Sequence, residues 1–434
     1  MNQSGALWSS TSPKVFADIA DPEDQIVAAD GVRVRDRRGQ WFIDARSGYW
    51  NVTLGYSQST IIDAISQQAA QLPYAHTWGY GRPNSAAEPA ARKLIDRLPN
   101  NLSHVRFHAN GAQAVETAVL LSRYLRLQSG RPEKMTIVGL WGGFHGFGGV
   151  ATHLTGLPYL HYHAGPLVPD VMHISLTEFG NVDSALAELD RFGPERVSAI
   201  VFEPIIGEGG HVLGPDTTAA LRSFCDQHDI HLIADEVTTG VGRGGSFTRS
   251  QLAGVRVDMM TLGKGLTSGY VPLSAVAIDG ALFDQIADAP MEQFFATGST
   301  HDGHPLALAA MVAALDLVTD DLLAHCQRMG DRLGAALRSI AGRSERVGDV
   351  RGAGMMYAVE LAPNDDPLFV NTVRLAMEER GVLAASLNAL PALMFIPPII
   401  MEQGDIDNVS DSFETALDMV ESGWKPKQPM RGIF

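Results

Sequence analysis

Residues 260–278 read MTLGKGLTSGYVPLSAVAI and hold a single charged side chain, Lys264, set between two glycines in an apolar, β-leaning segment. It is the only lysine between Lys134 and Lys425. An amine in such a slot loses solvation, so its pKa falls and the neutral form becomes a nucleophile. Acids sit in comparable places. "HLIADEV" runs apolar into Asp235 and Glu236, and "VFEP" ends at Glu203. A carboxylate at the end of a buried strand must be paired or solvated, and an aspartate that merely caps the next loop would look the same. "FHANGA" passes from strand through Asn110-Gly111 into a helix starting near Ala112. Unpaired N–H groups and a positive dipole end make that an anion site.

A nucleophilic amine, a strand-end acid and a phosphate-binding helix start together meet the demands of pyridoxal phosphate. The lysine forms a Schiff base, the carboxylate keeps the pyridine nitrogen protonated, and the N–H groups hold the phosphate. "GVGRGG" at 240–245 imitates a dinucleotide fingerprint, but the polar, poorly periodic residues after it do not open a helix.

Short apolar runs separated by amphipathic helices position these groups. From about residue 105 they alternate: "HVRFH", "AVETAVLLSRYLRL", "MTIVGL", then "VSAIVFE", "AALRSFCDQHD", "IHLIAD", "MMTLG" and "SAVAI". The pattern predicts an α/β fold, a largely parallel sheet with helices on both faces. Ligands in such sheets sit at the C-terminal strand ends. Near residue 318 the style changes, and helices bracket the short strands "MMYAVEL" and "LMFIPPII". The expected organisation is a large cofactor-binding domain at 51–318, a smaller α+β domain at 319–434, and residues 1–50 packed on the small domain. "VRVRDRRGQWFID" reads as two strands joined at an Arg-Arg-Gly turn.

Composition excludes several alternatives. With 45% apolar and 19% charged residues the 434-residue chain is an ordinary globular protein. A net charge of −16 without a clustered basic face argues against nucleic acid. No apolar stretch is long enough to span a bilayer and no start resembles a signal peptide. Cys225 and Cys326 read as buried, reduced thiols. A cytoplasmic enzyme without metal or membrane partner is expected.

Beyond these signals the sequence resembles the class III aminotransferases, fold-type-I pyridoxal phosphate enzymes, nearly end to end. "ADEVTTGVGRGG" is similar to that family's acidic signature and "TLGKGLTSGYVPLSAV" to its lysine motif, with Asp235 and Lys264 29 residues apart. "ANGAQAVETAVLLSR" resembles the phosphate loop, "GGFHG" the aromatic-His-Gly segment, and "EPIIGEGG" and "TGSTHDGHPLALAA" further family segments. The resemblance implies an aminotransferase acting as a homodimer with sites at the subunit interface, moving an amino group from an amine donor to a carbonyl acceptor. Lys264 is then the Schiff-base lysine and Asp235 the partner of the ring nitrogen, with Glu203 and His145 beside the cofactor. Val237 and Phe144 cover the two ring faces, Gly111 and Ala112 offer N–H groups to the phosphate, and Thr300 adds a hydroxyl from the neighbouring subunit. Trp50 and Tyr49, in "SGYWNV", fall at the substrate-pocket wall. A racemase or aminomutase on the same scaffold would carry the same cofactor residues.

Three departures matter. Ala112-Gln113 stands where Ser or Thr followed by Glu is usual, and Thr238 stands where Gln is common. Met394 occupies the position of an arginine that grips substrate carboxylates, and no Arg lies between Arg380 and Arg431. Arginine is the side chain suited to bidentate carboxylate recognition. The substrate pocket is therefore expected to be unusually apolar, unless Arg243 or Arg431 supplies the missing charge.

Overall fold

The computed structural model describes residues 21–77, 81–162, 164–176, 181–362, 366, 368–387 and 389–426. At its centre is a seven-stranded sheet, ordered Leu102–His108, Ser274–Asp279, Met259–Leu262, His231–Asp235, Val197–Phe202, Thr136–Leu140 and Val171–Ile174. Neighbours pair in parallel except at Ser274–Asp279, which runs antiparallel to both flanking strands. The reversal has a simple cause. Only residues 263–273 join Met259–Leu262 to it, and a parallel return needs a crossover of a dozen residues or more.

The three strands ending near Glu203, Asp235 and Lys264 are buried along their whole length, as a sheet covered on both faces requires. Their side chains alternate between two cores. Ala199, Val201 and Ile233 face the layer under helix Gly111–Gln128, while Ile200, Phe202, Leu232 and Ala234 face the larger cluster.

In the C-terminal region a four-stranded antiparallel sheet runs Val347–Ala353, Met356–Leu361, Ala392–Phe395, Ala385–Ser386. Helices Asp320–Ala341, Phe369–Glu379 and Gln403–Glu421 cover it. The N-terminal hairpin forms as expected, Arg33–Asp36 against Trp41–Asp44, with Gly39 at φ +90° in the turn. Its second strand takes Val382–Leu383 as a parallel neighbour, which ties the N-terminal segment to the C-terminal region. Cys225 and Cys326 are free and buried, and burial pushes both thiols up to about 12. No described helix is long and apolar enough to cross a membrane.

Candidate active site

Lys264 follows strand Met259–Leu262 and begins a single 3-10 turn, Lys264–Leu266. Its backbone sits at φ +38°, a left-handed conformation that costs a non-glycine residue of order 1–3 kcal/mol and that clusters at functional sites. The side chain is walled in. Nζ donates to the Thr238 hydroxyl at 2.6 Å and lies 5.3 Å from the centroid of the Trp50 ring. Burial lowers its pKa to about 8, against the opposing pull of the Glu203 and Asp235 carboxylates.

Asp235 ends the neighbouring strand. Oδ1 accepts the Val237 N–H at 3.0 Å and the Thr261 hydroxyl at 2.9 Å, and Oδ2 lies 2.7 Å from Nδ1 of His145. Three of the roughly four acceptor positions of a carboxylate are then taken, which leaves one for a protonated ring nitrogen. His145 is buried, and its own N–H donates to Thr155 Oγ1 at 2.9 Å. Burial disfavours its imidazolium, but the hydrogen bond and charge of Asp235 outweigh that and raise its pKa. Its Nε2 is buried without a hydrogen-bond partner. Glu203 accepts the Phe144 N–H at 2.9 Å. Burial, helped by the charge of Asp235, raises its carboxyl to about 7.

The anion site closes the group. Asn110 caps helix Gly111–Gln128 by accepting the Gln113 N–H, and the Gln113 side chain accepts the Ala109 N–H in return. The unusual Gln113 is thus occupied in the cap, while the N–H groups of Gly111 and Ala112 precede the helical ladder. Val237 lies against this start: a Cβ at Gly111 would fall 3.0 Å from Val237 Cγ1, and one at Gly263 3.1 Å from it. A Cβ at Gly146 would fall 2.7 Å from that of Ala112, so the Phe144–Gly146 segment abuts the helix start as well. Lys264, Asp235, Val237, Glu203, Phe144, His145, Gly111 and Ala112, distant in sequence, form one cluster. A phosphate cradle, a one-acceptor vacancy on Asp235 and a desolvated amine fit pyridoxal phosphate.

Trp50 belongs to a tight turn in which Ser47, Gly48 and Trp50 all have positive φ. A Cβ at Gly207 would fall 3.3 Å from its Cζ3 and 3.3 Å from Glu203 Oε1, so the glycine makes room for the indole beside the acid. Trp50 packs on an apolar cluster of Ile205, Met356, Ala358, Leu387, Ala392, Met394 and Ile396. Met394 is fully buried there. Tyr49 is 90% exposed in the single chain, and Thr300 is exposed with its carbonyl accepting the Tyr74 hydroxyl at 2.6 Å.

One expectation changes. Arg243 cannot supply a carboxylate grip, because it is wholly buried with its guanidinium turned to backbone carbonyls. Arg431 lies outside the described residues. Sequence reasoning also passed over Thr261 and Thr155, whose hydroxyls hold Asp235 and His145. A polar Thr inside the apolar "MMTL" was the one signal for the first.

The family model described as Aminotransferase class-III matches residues 19–417. The chain is 32% identical to an uncharacterized aminotransferase of Sinorhizobium fredii, over 95% of this chain and 94% of that protein. It is 32% identical to the beta-alanine–pyruvate aminotransferase of Pseudomonas aeruginosa, over 79% and 80% of the two chains. Among solved structures it is similar to the omega transaminase from Pseudomonas jessenii in complex with PMP, with TM-score 0.90, 28% identity and 96% of each chain covered.

Proposed function

This chain belongs to the class III aminotransferases and carries out pyridoxal-phosphate-dependent transamination; from that premise we propose how its own residues divide the work and which partners its pocket takes. Bound pyridoxal phosphate supplies an electron-withdrawing ring that accepts the electron pair left on the substrate carbon. Lys264 would be the covalent anchor, and once freed by the incoming amine its neutral Nζ would take the proton from the substrate carbon and deliver it to the cofactor's carbon, so that the amino group stays behind and the donor leaves as a carbonyl. Thr238 holds that nitrogen in place. Asp235 keeps the ring nitrogen protonated, with His145 and Thr261 fixing the carboxylate. Phe144 and Val237 flank the ring, and Gly111 and Ala112 give N–H groups to the phosphate. The observation that carries this reading is a desolvated amine beside a buried carboxylate with one acceptor position left.

The pocket is apolar. Trp50 forms part of its wall, backed by the cluster that contains Met394 in the place of the arginine. An ionised carboxylate without a partner there would be costly to desolvate, by several kcal/mol. At least one half-reaction therefore uses a bulky or neutral amine or carbonyl. The test is a donor screen on the purified yellow enzyme, following which amines bleach it. Bulky or neutral amines are expected to bleach it faster than glutamate. A strong preference for glutamate and 2-oxoglutarate over every bulkier partner would overturn the apolar assignment and leave transamination intact.

The working unit proposed is a homodimer in the cytoplasm. Free, buried thiols suit a reducing compartment. The segment leading to Thr300 exposes Met291 and Phe294 beside a cavity lined by Phe283, Ile286 and Phe295, and exposed apolar patches mark interaction surfaces. Thr300 then reaches the partner's phosphate. Mixing Lys264→Ala with Thr300→Ala subunits should restore activity, because one of the two sites in each heterodimer carries neither lesion. Random exchange gives roughly a quarter of native activity. No gain over the parents, once exchange is verified, would assign Thr300 to its own chain.

A further inference from the structure

Arg243 heads the fully buried side chains in size, and among the described residues no carboxylate forms an ion pair with it. Its guanidinium lies instead among the oxygens of separate chain segments. Nη1 donates to the carbonyls of Ile396 at 3.1 Å, of Pro397, and of Met355 at 3.4 Å. Nη2 donates to Ser47 Oγ at 3.2 Å and Thr53 Oγ1 at 3.3 Å. Further bonds stitch the same segments together. Ser47 Oγ donates to the Ile396 carbonyl at 2.6 Å, the Ile396 N–H to Ala45 at 2.8 Å, and the Ile399 N–H to Thr53 at 2.8 Å.

Each segment borders the site. Residues 47–53 carry Trp50, whose ring stands over Lys264 Nζ. Thr53 also flanks the residue after the lysine: a Cβ at Gly265 would fall 2.8 Å from its Oγ1. Residues 394–397 carry Met394. The loop that bears Arg243 leaves the sheet at Asp235 and passes through Val237 and Thr238. Positive φ at the non-glycine residues Ser47 and Trp50 makes the Trp50 turn a strained one, and strained backbone persists only where its surroundings over-determine it.

We propose that Arg243 is a positioning residue for the substrate pocket: one buried guanidinium clamps the Trp50 turn and the Met394–Pro397 strand end against the lysine-bearing turn, without touching substrate or cofactor. The proposal rests on the assignment of Trp50 and Lys264 to the site above. A planar cation with five donors can serve carbonyls on one edge and hydroxyls on another, whereas an ammonium is a point charge with three. Lysine at 243 would keep the charge and lose one side of the clamp.

The test uses the full-length enzyme with and without cofactor, as Arg243→Lys and as the single variant Thr53→Val, which removes only an Nη2 acceptor. Amide hydrogen exchange is read by peptide. Arg243→Lys should raise exchange about tenfold or more in peptides covering 45–54 and 393–399 while those covering 231–238 and 259–266 stay at wild-type rates. Thr53→Val should loosen 45–54 alone. In steady-state kinetics, Arg243→Lys should raise KM for a bulky amine several times more than for a small one, with kcat changed less. A uniform rise in exchange over the whole chain, or no rise in either segment, overturns the proposal. Loosened segments with unchanged KM for every amine keep the clamp and overturn the pocket assignment of Trp50, so the two failures are distinguishable.

Discussion

Lys264→Ala is expected to fold and still take up pyridoxal phosphate, while kcat falls about 10⁴-fold or more. Proton transfer by a positioned side chain contributes roughly 10²–10⁴ by itself, and the covalent anchor is lost with it. Folding should survive, because the hydrogen bond of Nζ goes to the Thr238 hydroxyl, which loses a donor and keeps its own proton to donate. Borohydride reduction of the loaded wild-type enzyme, followed by peptide mapping, should put the label on Lys264. Label on any other lysine would refute the assignment. In the cofactor-free protein an amine-directed reagent should label Lys264 with a midpoint near pH 8, where an ordinary lysine titrates near 10.5. The sign follows from burial: withholding water from the ammonium favours the neutral amine, so reactivity appears at lower pH.

The groups that were legible in the sequence are those whose environment is local. Lys264 stands out as the one charge in an apolar strand-and-turn, Asp235 as an acid that ends an apolar run, and Asn110-Gly111 as a helix start. Each signal needs only a few neighbouring residues. The parallel strands were legible for the same reason, since a strand buried on both faces reads as continuous apolar sequence. What was not legible depends on partners far along the chain. Val347–Ala353 contains Gly348, Asp349 and Gly352, all poor strand formers, and is a strand because Met356–Leu361 pairs with it. Val382–Leu383 is two residues long and owes its existence to Trp41–Asp44. Arg243 carries no local mark of burial. In a glycine-rich loop it reads as an available charge, and only the convergence of residues 47–53, 355 and 396–397 on it reveals otherwise. Thr238 is the converse case. Its place in the family pattern marks only a departure from the common Gln, and the fold adds that its hydroxyl holds the nitrogen of a lysine 26 positions on.

Asp235→Asn tests the second half of the site, and its effect comes from counting donors. Val237 N–H, the Thr261 hydroxyl and His145 all converge on the carboxylate. An asparagine offers one oxygen and one NH₂ group in the same space. If the oxygen keeps Val237 and Thr261, the NH₂ faces His145 Nδ1, and two donors meet unless the imidazole proton moves to Nε2. That atom is buried and has no partner. If the amide turns over, its NH₂ faces the Val237 N–H instead. Either arrangement leaves one buried hydrogen bond unmade, at a cost of about 1–3 kcal/mol in stability. The charge facing the ring nitrogen is lost as well, and a charge-assisted hydrogen bond of that kind contributes about 1.5–3 kcal/mol. Cofactor affinity should fall roughly tenfold to a hundredfold by that amount. The rate should fall further, by about 10³-fold or more, because an unprotonated ring accepts electrons poorly just where the barrier is highest. Measuring turnover across a cofactor titration separates the two effects. Saturating pyridoxal phosphate should repair occupancy and leave kcat low. A saturated Asp235→Asn enzyme with near-normal kcat would remove Asp235 from the ring nitrogen and leave it as a strand-end acid that orients His145.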